Sequence, residues 1–298
     1  MRTLSLTISP GMARKSVKAV LRQELQMANG LISRIKLRET GILLNGIRVK
    51  TSQAVQSGDI LTVEIGDLPS KKPEDPVNIP LDILWEDDDL LIINKPAGMA
   101  VHGSHAPGKK PTLANALAYY WGSEKIFHPV SRLDRGTSGI MTIAKNSYVH
   151  DRMRTCLHTQ NFEREYRGIA WGKVNPPAGK IQLPIGRAPD SIIRRQICED
   201  GRPAETFYET LQATENFTLL KLQPQTGRTH QLRLHMAALG FPLAGDWLYG
   251  KETPEIITHP ALHSYKLRFL HPITQEMISL CAPLPADMLR LLDKNFTL

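Results

Sequence analysis

Apolar and polar positions divide the chain into two stretches of different rhythm. In the first, Val17, Val20, Leu21 and Leu25 recur at helical spacing behind Ser16, a residue type that caps helix N-termini, while Arg14, Lys15, Lys18 and Arg22 occupy other parts of that segment. A second short helix is expected to start near Ser33. Residues 41–44 then read as a strand, Asn45-Gly46 as the tight turn most favoured in hairpins, and 47–49 as the returning strand. Gly58-Asp59 introduces 60–65, where Leu61, Val63 and Ile65 alternate as a half-buried strand does. At 66–80 the rhythm stops, and Pro69, Pro73, Pro76 and Pro80 are interleaved with Lys71, Lys72, Glu74 and Asp75, which disfavours both helix and central strand. The expected organisation is a small α+β domain over 1–68, a linker over 69–80 and a larger domain over 81–298.

In that larger domain, short apolar runs at 90–93, 140–144, 166–171, 207–211 and 219–222 predict strands, and helices are expected near 113–121, 147–158 and 229–239. Hairpin-like spacing with few strict βαβ units favours an α+β fold with a mixed, mainly antiparallel sheet. The chain shows no internal repeat and no low-complexity segment.

Composition narrows the classes. With 298 residues and 41% hydrophobic content, the chain can bury one large core and a small accessory domain. Its net charge of +8 suggests a polyanionic partner. The charge is uneven, since Arg2, Arg14, Lys15, Lys18, Arg22, Arg34, Lys36, Arg38, Arg48 and Lys50 face only Glu24, Glu39, Asp59, Glu64 and Asp67 in the first 67 residues. Cys156, Cys198 and Cys281 are widely spaced, which argues against a disulfide framework or a cysteine zinc site and for a reducing compartment. No apolar run has the length of a signal peptide's core or a membrane helix, so a cytoplasmic protein is expected.

The chemistry concentrates in two segments. Residues 131–139 read Ser131-Arg132-Leu133-Asp134-Arg135-Gly136-Thr137-Ser138-Gly139, a single carboxylate between two arginines, whose guanidinium groups are natural phosphate ligands. A turn-capping aspartate with solvated arginines fits the same residue types. Residues 226–236 read Thr226-Gly227-Arg228-Thr229-His230-Gln231-Leu232-Arg233-Leu234-His235-Met236. His230 and His235 stand five apart rather than the four that would place both on one helix face for zinc, so no metal site is expected. The lone histidines His102, His105 and His128 receive no role.

Together these segments resemble the RluA-type RNA pseudouridine synthases. That family's Arg-Leu-Asp core lies here at 132–134. Its Thr-Gly-Arg-x-His-Gln-[Ile/Leu]-Arg motif is complete at 226–233 and runs on into Gly-x-Pro-[Ile/Leu]-x-Gly-Asp at 240–246. Asn94-Lys95-Pro96-Ala97-Gly98 and Arg164-Glu165-Tyr166 match two further elements. Ser131 and Gly136 depart from the family pattern, which more often has His and Asp there. The resemblance implies a mixed sheet with a central cleft and a uridine-to-pseudouridine isomerase without cofactor or metal. It implies Asp134 as the essential carboxylate, acting either by covalent attack or by taking the 2′ proton. It also implies Arg233 as its cation, Tyr166 stacked on the uracil and Arg132 in base flipping. Arg135, Arg228 and Lys95 are expected to contact RNA, although Lys95 in its turn could equally support the catalytic loop.

The N-terminal pattern of two helices and a basic hairpin resembles the S-four-like domain of ribosomal proteins, which implies RNA contacts through Arg34, Lys36, Arg38 and Arg48. Large-subunit ribosomal RNA is the expected target by resemblance, transfer RNA the alternative, and a monomer the expected state. Two other readings stay open: a noncatalytic RNA-binding or ribosome-assembly protein, and a nucleoside hydrolase. The hydrolase would need a second carboxylate, for which Asp246 is the candidate.

Overall fold

The computed structural model describes residues 2–69, 73–103, 110–157, 159 and 161–293. Lys71, Lys72 and His105, and His158 at the expected end of one helix, lie outside the described residues.

The N-terminal stretch folds into β1 (Thr3–Thr7), α1 (Val17–Gln23), α2 (Asn29–Ile35), β2 (Ile42–Leu44), β3 (Ile47–Arg48) and β4 (Ile60–Glu64). The strands form one antiparallel sheet in the order β1-β4-β2-β3. Ser16 caps α1 by accepting a hydrogen bond from the Ala19 amide at 3.2 Å. The helix expected near Ser33 begins at Asn29 instead, because Leu31, Ile32 and Ile35 together make its buried face. Positive φ at both Asn45 and Gly46 closes the β2–β3 turn, as a two-residue hairpin requires.

The proline-rich stretch is tied down rather than free. The Asp67 carboxylate meets His128 Nε2 at 2.6 Å and accepts from the Ser147 amide at 3.0 Å. Further on, Asn115 Nδ2 donates to the Asp75 carbonyl and the Val77 amide to the Asn115 carbonyl.

Beyond it come β5 (Ile83–Glu86), β6 (Leu90–Lys95), α3 (Leu113–Trp121), β7 (His128–Pro129), β8 (Ser138–Ala144), α4 (Ser147–Cys156), β9 (Phe162–Trp171), β10 (Ala178–Gln182), β11 (Ile185–Arg187), β12 (Arg195–Ile197), β13 (Glu205–Ala213), β14 (Phe217–Pro224), α5 (Gln231–Ala238), β15 (Leu262–Leu270), β16 (Met277–Cys281) and α6 (Ala286–Arg290). Ten of these strands form one sheet along β10-β13-β14-β9-β15-β8-β6-β5, with β16 on β15 and β7 on β8. Among the described residues β8 and β15 are the parallel pair, and the other pairings are antiparallel. The fold is α+β with a mixed, mainly antiparallel sheet.

β6 and β8 are apolar runs because both sheet faces are covered. On one face Leu91, Ile93, Met141 and Ile143 pack with Leu113 and Leu117 of α3. On the other, Leu90, Ile92, Ile140 and Ala144 join Tyr148 and Val149 of α4 in a cluster that continues into the N-terminal sheet. Polar contacts reinforce that junction: Arg2 donates to both carboxylate oxygens of Asp89, and the Tyr148 hydroxyl donates to the Leu25 carbonyl at 2.8 Å. No helix among the described residues is long and apolar enough to cross a membrane.

Candidate active site

Asp134 lies in the loop that enters β8, in the middle of the large sheet. The loop is folded by its own backbone, with the Thr137 amide donating to the Asp134 carbonyl at 3.0 Å. The turn after β6 anchors it from outside: the Gly98 amide donates to the Arg135 carbonyl at 2.8 Å, and Arg135 Nε donates back to the Gly98 carbonyl at 3.0 Å. Two glycines are fixed by close approach. A Cβ on Gly139, which has φ +103°, would lie 2.3 Å from the Ser264 carbonyl oxygen where β8 meets β15. One on Gly136 would lie 2.8 Å from Pro260 Cδ, so the departure from the family motif there matches the neighbour this chain carries. Ser131 lines the cleft.

Of the two expectations for Lys95, the structure favours support of the catalytic loop over a contact with RNA. Its side chain is fully buried and its Nζ donates to the carbonyls of Pro96, Met99 and Arg135 at 2.8, 2.9 and 3.4 Å, so it does not reach RNA phosphates. Burial lowers its pKa to about 8, with the Asp134 charge pulling the other way. It holds the loop from below.

The second segment builds the opposite wall. Gln231, buried at the start of α5, accepts from the Thr226 hydroxyl at 2.7 Å and the Arg228 amide at 3.0 Å, and donates to the Glu205 carbonyl at 2.8 Å. This knits the turn and starts the helix at Gln231, two residues later than expected, with His230 left-handed at φ 58° before it. From α5, Arg233 reaches two carboxylates: Nε and Nη2 bind both oxygens of Asp246 at 2.7 Å each, and Nη1 stands 3.6 Å from Asp134 Oδ2. Burial disfavours the Arg233 cation, but its bonds to Asp246 and the charges of Asp246 and Asp134 prevail and its pKa is raised. Asp246 is fully buried and bound on both oxygens, so it is no second free carboxylate and the hydrolase reading loses its candidate.

The sequence reading missed His230. Its Nε2 lies 3.8 Å from Asp134 Oδ2 and its Nδ1 2.9 Å from the Tyr249 hydroxyl. Burial pushes its pKa down while Asp134 opposes. The position was visible inside the motif at 226–233, but its direction depends on a left-handed backbone that no pattern announces. His235, by contrast, is structural, bonded to Thr206 Oγ1 at 2.9 Å and the Leu183 carbonyl at 3.0 Å.

These groups surround a cleft of about 660 Å³. Asp134, Arg233 and Tyr166 all line it. Tyr166, in β9, is half-buried between two apolar clusters, and burial raises its phenol's pKa while the Arg164 charge opposes. Arg132 stands exposed at the cleft, and Arg228 is held by Nε donation to the Pro203 carbonyl at 3.0 Å. Arg154 and Arg164 also line the cleft and were not singled out as RNA contacts. The basic residues of the N-terminal unit lie elsewhere: Arg34, Lys36 and Arg48 are exposed, Arg48 donates to the Lys36 carbonyl, and Arg38 donates to the Gly66 carbonyl at 2.6 Å.

Comparisons with known proteins agree on one class. The family model described as RNA pseudouridylate synthase matches residues 89–238. The chain is 38% identical over 280 residues to "Uncharacterized RNA pseudouridine synthase YjbO" of Bacillus subtilis (strain 168), covering 90% of this chain and 95% of that protein. It is 35% identical over 303 residues to "Ribosomal large subunit pseudouridine synthase D" of Haemophilus ducreyi (strain 35000HP / ATCC 700724), covering 95% and 87%. Among solved structures, "Human RNA Pseudouridylate Synthase Domain Containing 1" superposes with a TM-score of 0.59 at 27% identity, covering 70% of this chain and 86% of that one. The chain therefore belongs to the RNA pseudouridylate synthase family, in the RluA type that its motifs resemble. It is an isomerase that converts uridine to pseudouridine in RNA.

Proposed function

We propose that the target is a uridine of large-subunit ribosomal RNA and that Asp134 is the carboxylate acting on it. The observation that carries the site assignment is the Asp134 carboxylate in the cleft, 3.6 Å from an arginine that a second, buried aspartate holds in place. The target is supported by the relatives named for the large ribosomal subunit, which match most of the chain.

The isomerisation breaks the bond between N1 of the base and the anomeric carbon, turns the uracil in place, joins C5 to that carbon and removes the C5 proton. Asp134 starts it either by attacking the sugar or the base covalently or by taking the 2′ proton, and every route needs an anionic oxygen against the target nucleoside. Arg233 supplies a fixed counter-charge without reorganising. Tyr166 offers its ring to the uracil. Because the uridine must leave its stack, at a cost of a few kcal/mol, Arg132 at the cleft occupies the space it vacates, and Arg135 and Arg228 hold phosphates. Residues 1–68 act as an RNA-binding unit through Arg34, Lys36, Arg38 and Arg48.

Incubating the protein with unmodified large-subunit ribosomal RNA and, separately, with unmodified transfer RNA tests the target. Carbodiimide labelling and primer extension should place new pseudouridine in the ribosomal RNA; modification confined to transfer RNA would contradict the reading.

A further inference from the structure

A second hollow of about 340 Å³ adjoins the cleft and shares Asp134, Arg135, His230 and Arg233 with it. That volume is within the range of small-ligand pockets, roughly 300–1,000 Å³. Its remaining wall is mostly apolar, with Thr258 and His259 as its polar members, and it is open, for Trp247 and Ile193 both line it while being 53% and 52% exposed. Ile192, beside Ile193 in the β11–β12 connection, is 85% exposed. The indole of Trp247 is left half in water in a hollow that also holds Asp134, and nothing in the isomerisation uses it.

Hydrogen bonds hold the backbone of the loop that presents Trp247. Its amide donates to the Gly245 carbonyl at 3.1 Å, and the following Leu248 and Tyr249 amides donate to Asp246 Oδ1 at 3.1 and 3.2 Å. The aspartate that fixes Arg233 therefore also fixes the backbone turn that carries Trp247. Arg135 forms another wall, its Nε held by the Gly98 carbonyl and its side chain exposed. A flat aromatic surface beside a guanidinium matches a nucleotide: stacking for the base, a cation for its phosphate.

We propose that this hollow is a stacking subsite for an unpaired base adjoining the target uridine, with Trp247 as the stacking surface and Ile193 as a second apolar wall. The proposal rests on Asp134 receiving the target nucleoside, because only then does the hollow lie along the RNA path. Trp247 is thus a binding and positioning residue for RNA context.

The test uses Trp247→Ala and Trp247→Phe with unmodified large-subunit ribosomal RNA transcript as the probe. Trp247→Ala should raise KM about tenfold with kcat within about twofold, and Trp247→Phe should restore most of the affinity, since loss of one stacking contact is worth roughly that factor. Unchanged kinetics in both variants would overturn the subsite. Should the wild type itself leave the transcript unmodified, the target reading fails, and the subsite is decided separately by titrating single-stranded oligouridylate. Quenching of tryptophan emission that is weaker in Trp247→Phe supports the subsite. Equal quenching in both proteins overturns it.

Discussion

Asp246 ties the arginine beside Asp134 to the loop that follows it. Its two oxygens bind Arg233, and Oδ1 also accepts the amides of Leu248 and Tyr249. A buried ion pair is a modest source of stability, but removing one partner strands the other, which costs about 3–5 kcal/mol. Asp246→Ala should therefore lower unfolding stability by about that amount in urea titrations. It should also cut single-turnover isomerisation by about a hundredfold, as Arg233 drifts from its place beside Asp134. Wild-type stability and rate in that variant would show that Arg233 needs no second carboxylate. At this scale the motifs made Asp134, Tyr166 and Arg233 legible as a group, and the fold brings them around one cleft. They did not show what each side chain touches. Asp246 stood in the motif as a candidate second carboxylate, and Lys95 as either an RNA contact or a loop support, because pairing and burial are set by elements distant in the chain.

The parallel junction of β8 with β15 is the element on which the site hangs, since the Asp134 loop feeds directly into it. Its polar link is His263, buried, with Nδ1 2.8 Å from the Ser138 hydroxyl and Nε2 3.3 Å from the Ala282 carbonyl. Burial pushes His263 down to about 4. An unfolded histidine titrates near 6.5, so between that pH and about 4 the unfolded chain binds more protons than the folded one. The contribution of His263 is thus complete above about pH 6.5 and is lost as pH falls toward 4, up to about 3 kcal/mol in all. Urea unfolding at pH 7 and 4.5 should show a larger acid loss in wild type than in His263→Gln; equal losses would remove His263 as the cause. β15 was not among the expected strands. Buried His263 and Ser264 interrupt its apolar run, and a register shift between Ser264 and Lys266 breaks the alternation. β6 and β8, covered on both faces, were plain in the sequence as apolar runs.

Across the whole molecule, the proline-rich break at 66–80 was readable from composition, but the way the N-terminal unit seats on α4 and β6 was not. Its contacts, such as Arg2 with Asp89 and Tyr148 with Leu25, join residues far apart in sequence. The result is one basic body with arginines around a cleft and further cations on an attached unit, and the proposed function spreads RNA binding over those cations while it assigns the chemistry to one carboxylate. Asp134→Asn separates the two most directly. It keeps the size of the side chain and removes the charge facing Arg233. With unmodified large-subunit ribosomal RNA, wild type should form pseudouridine and Asp134→Asn none detectable, while the variant binds the RNA with affinity within a few-fold of wild type and unfolds at a similar urea concentration. Pseudouridine formed by Asp134→Asn at a rate near that of wild type would contradict the account at its centre.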